Sequence, residues 1–131
     1  MNPIPSNYAD LLERPLFGHL GTVKPDGTPQ VTPIWFQYDG ELLYFTTATN
    51  RAKYTFMRAN PNVALSVNDP EQPYRYIEVR GVVESLDPDE GGAQFDALAA
   101  RYGLPLRASQ LDDLPQRVRV VVRPVHCTFQ G

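Results

Sequence analysis

The stretch QVTPIWFQYDGELLYFTT, residues 30–47, decides the fold. Two runs rich in apolar, β-branched and aromatic residues, 30–38 and 42–47, flank Asp39-Gly40. An Asp-Gly pair between two such runs is the strongest short-range signal of a β-hairpin. Upstream, Pro25-Asp26-Gly27 separates residues 30–38 from another apolar run at 16–23, so turn chemistry joins a further strand. Three consecutive antiparallel strands are predicted. In the third, Leu43, Phe45 and Thr47 point to one face and Leu42, Tyr44 and Thr46 to the other, which predicts cover on both sides.

Working outward, residues 51–59 contain no Gly or Pro and carry Tyr54, Met57 and Arg58 at helical spacing. Thr49 or Asn50 is the predicted N-cap and Asn60-Pro61 the stop. A fourth strand follows at 63–67. Residues 74–86 form a long fifth, with Ile77, Val79, Gly81 and Val83 on one face. Residues 88–102 place Phe95, Leu98 and Ala99 on one stripe, predicting a helix with Asp87 as N-cap and Gly103 just past its end. The last strand, 117–129, contains Pro124, which a sheet tolerates at an edge or a bulge. Six strands with short helices at the crossovers, and no alternation of β and α units, predict a mainly β protein built as an antiparallel barrel.

The composition agrees. The 131 residues, 42% hydrophobic, predict one domain, residues 1–131, with its own core. Fifteen acidic against twelve basic residues give a formal net charge of -3, which argues against a nucleic-acid or anionic-membrane partner. The lone Cys127 permits no internal disulfide, no metal framework is present, and neither a signal peptide nor a membrane span is expected. The expectation is a cytoplasmic protein. Proline is the outlier, 13 residues, about twice the usual share, and it punctuates strands.

No Walker loop, dinucleotide GxGxxG turn or GxSxG elbow occurs. His19 reads as a hydrogen-bonded structural histidine. His126 and Cys127, adjacent on a strand, point to opposite faces and make no reactive pair. The informative segment is Thr46-Thr47-Ala48-Thr49-Asn50-Arg51-Ala52-Lys53. Here a strand ends, hydroxyl and amide side chains make the turn, and two cations sit at a helix start. Free N–H groups and the positive helix end already favour an anion there, and cations at that end are locally unfavourable without one. One reading is a phosphate held by Arg51 and Lys53. The other has both side chains in solvent or paired with Asp69 or Glu71.

The motifs Gly18-His19-Leu20-Gly21-Thr22-Val23, Asp26 to Phe36, Asn50-Arg51-Ala52-Lys53, Asn60-Pro61-Asn62-Val63 and Glu78-Val79-Arg80-Gly81 come in an order that resembles the pyridoxamine 5′-phosphate oxidase-like split β-barrels, over residues 8–129. Within that family the chain is similar to small flavin and deazaflavin oxidoreductases. The resemblance implies a six-stranded split barrel of the FMN-binding type. It implies phosphate contacts from Arg51 and Lys53, supported by Thr46, Thr47 and Asn50. It places the backbone of Thr32, Pro33, Ile34 and Trp35 along a tricyclic ring, with Trp35 either stacking or serving as core. Arg58, one helical turn from Tyr54, extends a cationic path for an anionic tail.

The resemblance further implies a homodimer with the cofactor between subunits. Tyr76, Arg80 and Arg119 then complete the neighbour's site, or else those arginines pair with Glu78 and Glu84 on a solvated face. The implied cofactor is coenzyme F420, the 8-hydroxy-5-deazaflavin, with FMN as the alternative; haem and tetrapyrroles also occur in such folds. The implied activity is hydride transfer from reduced F420 to a small conjugated or quinone-like acceptor, with Tyr44 or Tyr76 as a conjectural proton donor. An FMN-dependent reductase or oxidase, and a carrier or sensor without turnover, are the alternatives. The end of the chain at Gly131 argues against pyridoxamine phosphate oxidation, for which the family has a longer C-terminal segment.

Overall fold

The Asp39-Gly40 turn forms as predicted. Gly40 has φ +96°, and the Asp39 carboxylate accepts the N–H groups of Glu41 (2.9 Å) and Leu42 (2.7 Å). The computed structural model describes residues 2–131. In chain order it contains α1 (Asp10–Glu13), β1 (Gly18–Val23), β2 (Pro29–Ile34), β3 (Gln37–Tyr38), β4 (Leu43–Ala48), α2 (Ala52–Ala59), β5 (Asn62–Asn68), β6 (Tyr76–Pro88), α3 (Ala93–Arg101) and β7 (Arg117–Gln130). Every strand pair is antiparallel, and the sheet runs β2-β1-β5-β6-β7-β4-β3.

That order makes the sheet a barrel. β2 and β3 are its two edges, yet Ile34 and Gln37 are three residues apart, a reach of about 11 Å at full extension, so the sheet must curl until its edges meet. The run predicted as one strand over 30–38 is therefore two, and the count is seven strands. The cause lies in Trp35-Phe36, which leaves the ladder to bind the C-terminal end of α3. The Phe36 N–H donates to the Tyr102 hydroxyl (3.1 Å), and its carbonyl accepts from Arg101 Nε (2.9 Å). Residues 16–23, 30–38 and 42–47 are consequently not three neighbouring strands. β1 pairs with β2 and β3 with β4, at opposite sides of the split.

The interior is filled by Leu20, Phe36, Phe45, Val67, Ile77, Val79 and Val120, all at most 2% exposed. Leu11 and Leu12 of α1 are fully buried with them. Periodicity did not register this four-residue helix because it is too short to show a period. Its last carbonyls, at Leu12, Glu13 and Arg14, accept hydrogen bonds from the Arg101 guanidinium at 2.8–3.1 Å, a side-chain cap supplied from the far end of α3.

Three further expectations change. The segment predicted as a helix from residue 88 begins as strand. β6 continues to Pro88 with Asp87 opposite Arg119, Gly91 and Gly92 turn with φ +72° and +73°, and α3 starts only at Ala93. Asp89, not Asp87, holds the first turn, accepting the N–H groups of Gln94 and Phe95 at 3.1 Å. At the other end Gly103 (φ +68°) closes α3 as predicted, with its N–H on Ala100 and that of Leu104 on Ala99. His19 is exposed on the outer side of β1, because that side faces outward from the barrel, and is not a packed structural histidine. Pro124 does sit at a bulge: the β6–β7 register shifts there, with Gly81 opposite Pro124 and Arg80 opposite His126.

Candidate anion-binding site at the barrel split

Where the sheet edges approach each other, a cavity of about 320 Å³ opens. It is lined by Pro33, Ile34 and Trp35 from the end of β2, Thr46 and Thr47 from β4, Arg51 and Lys53 from the start of α2, Phe17 before β1, Phe95 of α3 and Arg117 at the start of β7. The position of Pro33 follows from its chemistry. β2 has a neighbour on one side only, and a residue without an N–H is tolerated on such an edge.

The polar end is the start of α2. The chain leaves β4 by donating the Thr49 N–H to the Gln116 carbonyl (3.0 Å), so the helix begins later than the sequence predicts. Arg51, in extended conformation, is the N-cap residue, and no side chain caps the first turn; Asn50 is exposed. The leading N–H groups of α2 thus lack intrahelical acceptors beside the cavity. Lys53 Nζ donates to Thr32 Oγ1 (2.9 Å), joining α2 to β2 across the split. Burial pushes the Lys53 ammonium below its usual range, and the nearby charges of Arg51 and Arg117 add to this.

Arg117 completes the group, and the sequence reading missed it. It is 8% exposed; Nη2 donates to Thr46 Oγ1 (2.5 Å), Nη1 lies 3.5 Å from an Asp113 carboxylate oxygen, and buried Nε has no acceptor. Burial lowers its affinity for a proton, as for Lys53. Arg51, Lys53 and Arg117 converge on one cavity whose lining contains no carboxylate. The alternative pairing does not occur, because Asp69 is engaged by Arg14 (3.2 Å) and Arg75 (3.5 Å), and Glu71 lies 3.8 Å from Arg14.

The apolar end is aromatic. Trp35 stacks on Tyr102 (centroids 6.0 Å apart, 26° between planes), lies 5.9 Å from Phe95, and still lines the cavity. Phe17, 59% exposed, lines it from the segment that leads into β1. Phe17 and Phe95 were also missed. Strand and helix periodicity assigns them to faces but cannot show that those faces meet.

The remaining candidates lie outside the cavity. Arg58 is exposed, stacked over the Tyr54 ring at 5.7 Å. Arg80 is exposed and pairs with Glu78 (3.2 Å), lining instead a second, apolar hollow of about 470 Å³ with Val125 and His126. Arg119 pairs with Asp87 (3.4 Å), and Tyr44 donates its hydroxyl to Asp39 (2.8 Å). Neither Tyr44 nor Tyr76 lines the cavity. The Cys127 thiol donates to the Pro3 carbonyl, and burial pushes its pKa up, as befits an unreactive cysteine.

An antiparallel barrel split at its edges, with cations and aromatics lining a cavity at the split, defines the class of split β-barrel proteins. The family model described as pyridoxamine 5′-phosphate oxidase matches residues 4–131, and the chain belongs to that family. Its fold matches a solved structure described as an F420 reductase, with 54% identity, TM-score 0.91, and cover of 95% of this chain and 98% of that one. It also matches a conserved hypothetical protein from Mycobacterium tuberculosis (23% identity, TM-score 0.75, 94% and 81% covered) and the General Stress Protein 26 from Bacillus anthracis (24%, 0.69, 92% and 88%), which share the fold. None of the curated proteins compared with the chain matches it. Among the described residues, no helix is long and apolar enough to cross a membrane, and no cluster of three or more metal-ligating side chains occurs.

Proposed function

We propose that the protein is an oxidoreductase that binds coenzyme F420 in the split, its phosphate held by Arg51 and Lys53. The observation that carries this reading is the convergence of Arg51, Lys53 and Arg117 on a cavity without a carboxylate in its lining, beside an aromatic wall. The 54% identity to a protein described as an F420 reductase favours the deazaflavin over FMN.

The residues fit an anionic, flat-ringed group. Thr46, which lines the cavity, accepts from Arg117, which leaves its hydroxyl hydrogen available to a phosphoryl oxygen, and Thr32 holds the Lys53 ammonium in place from outside the lining. Pro33, Ile34 and Trp35 offer a strand edge and an aromatic surface to the ring. The reduced coenzyme would supply a hydride to an electron-poor double bond or quinone, which takes up one proton as well; the protein supplies position and a water-poor groove. The chain also acts as a homodimer in this reading. Arg80, Arg119 and Tyr76, which lie outside the chain's own cavity, are then contributed to the neighbour's groove, and Arg58 stands free for an anionic tail.

The test is a titration with both cofactors, followed by light scattering. Tighter binding of F420 than of FMN, in a dimer, is the expected result, and equal or preferential FMN binding overturns the assignment in favour of a flavin reductase or oxidase. A carrier or sensor draws support from the cavity lining, which holds no carboxylate, imidazole or phenol to move a proton. Failure to oxidise the reduced cofactor across a broad panel of quinones and enones would support that reading.

A further inference from the structure

Arg117 is placed unlike any other arginine of the chain. A guanidinium carries five N–H donors and is weakly hydrated, so it tolerates burial when those donors find acceptors. Here the side chain is 8% exposed, but only Thr46 Oγ1 and the Asp113 carboxylate are within reach, and the buried Nε has none. Its flat face lies 5.3 Å from the Phe95 ring, which supplies no acceptor. An under-satisfied buried cation costs stability unless something completes its shell. The cavity it lines is where that completion can come from.

Asp113 is the second part of the arrangement. It sits at the start of a short 3-10 turn, Leu114–Gln116, four residues before Arg117. Its carboxylate caps no backbone group of that turn; the turn closes instead through its carbonyl, which accepts the Gln116 N–H at 2.8 Å. At 3.5 Å the Asp113–Arg117 contact is longer than the 2.6 Å pair between Arg75 and Asp10. The carboxylate is not among the residues lining the cavity, so it stands behind Arg117 as seen from that space.

We propose that Arg117 is the third cation of the anion site and that Asp113 is its resident counter-ion, moderating the charge Arg117 presents to an incoming phosphoryl group. This rests on the reading of the cavity as a phosphate site and adds to it an element that sets affinity. Asp113 is the one carboxylate in contact with the three cations, and the Asp89 carboxylate, which accepts the Gln94 and Phe95 N–H groups, attracts Arg117 from farther off. Neutralising Asp113 therefore strengthens the field on the ligand without changing any residue that touches it.

The test uses the full chain and inorganic phosphate, with binding read by calorimetry or by 31P line broadening and folding read by thermal denaturation. Arg117→Gln weakens phosphate binding about tenfold or more, as loss of a charge-assisted donor requires, and Arg117→Lys recovers part of it. Asp113→Asn, which preserves the shape of the turn, tightens binding about threefold to tenfold. A merely structural role for Arg117 would give no tightening at residue 113. Phosphate affinity within twofold of the parent in Arg117→Gln, weaker binding in Asp113→Asn, or no phosphate binding by the parent protein overturns the proposal. Should Arg117→Gln fail to fold, the Asp113→Asn titration decides alone. Phosphate binding with these responses but no binding of F420 or FMN would sink the proposed function and leave this inference standing. Cofactor binding indifferent to both positions does the reverse.

Discussion

Two groups of arginines and lysines in this chain differ in what faces them. Around the N-terminal segment, Arg75 meets Asp10 at 2.6 Å and Asn7 carbonyl at 2.9 Å, Arg14 meets Asp69 at 3.2 Å, and Arg101 donates to the carbonyls of Leu12, Glu13, Arg14 and Phe36. At the barrel split, Arg51 and Lys53 have no carboxylate within 4.0 Å among the described residues, and Arg117 has one long contact. The first group has its donors filled by carboxylates and carbonyls of the chain and joins α1 to the barrel. The second leaves charge unclosed at a cavity. A cation whose partners come from the chain serves the fold; in the function proposed above, the half-buried and buried cations at the split are held for an anion.

The sharpest way to break this comparison is at Arg101. Arg101→Ala strips acceptors' partners from the end of α1 and from Phe36 together, and is expected to lower unfolding free energy by about 2–4 kcal/mol in urea denaturation. A loss below about 1 kcal/mol would show that burial of Leu11 and Leu12 and the Arg75–Asp10 and Arg14–Asp69 pairs hold α1 without Arg101. At the split the sign reverses. Lys53→Met removes a half-buried cation, so the folded protein should be no less stable in the absence of ligand, while F420 affinity drops about tenfold to a hundredfold in a fluorescence titration. Marked destabilisation with unchanged affinity would move Lys53 into the first group.

The two groups also separate on the pH axis. Hydrogen bonds from Arg75 to Asp10 and from Arg14 to Asp69 hold both carboxyls below the ordinary 3.8. Their contribution is complete above pH 3.8 and is lost as pH falls through the depressed folded values, an acid-limb effect visible by circular dichroism. Lys53 is depressed below 10.5 by burial and by Arg51 and Arg117, so between its folded value and 10.5 the unfolded chain binds more protons and stability rises with pH. Anion binding needs the protonated ammonium. Affinity should therefore fall as pH rises through that window in the parent protein, and fall less in Lys53→Met. The smallest effect is at Glu71, 86% exposed and 3.8 Å from Arg14, where Glu71→Gln is expected to leave the unfolding midpoint unchanged.

Much of the fold could be read from local chemistry. Asp39-Gly40, the helix stop at Asn60, Gly103 after α3 and the bulge at Pro124 each depend on what a residue's own backbone or side chain permits, and all four appear where expected. Errors arose where a distant group outbid local pattern. Trp35-Phe36 continues a strand by periodicity, but Tyr102 and Arg101 draw its backbone out of the ladder. Residues 88–92 read as helix, yet β6 runs on because β7 is long enough to pair with it as far as Pro88 and Val118. At the candidate site, Arg51, Lys53, Thr46 and Thr47 were legible as a motif, and the 33–35 edge only through the family resemblance. Arg117 shares a strand face with Arg119, which the sequence did single out, but only packing against Phe95 and Asp113 distinguishes the two.

By itself the sequence determined an antiparallel β architecture and a cationic helix start, because turn residues, side-chain alternation and helix-end electrostatics act within a few residues of each other. Tertiary structure decided that the two edges of the sheet meet, that Phe17, Phe95 and Arg117 converge there from three separate segments, and that Arg58 and Arg80 do not. Those outcomes depend on which surfaces the closed barrel buries together. Burial is a property of the whole packed chain, and it is what turns one arginine into half of a surface ion pair and another into an under-satisfied donor facing a cavity.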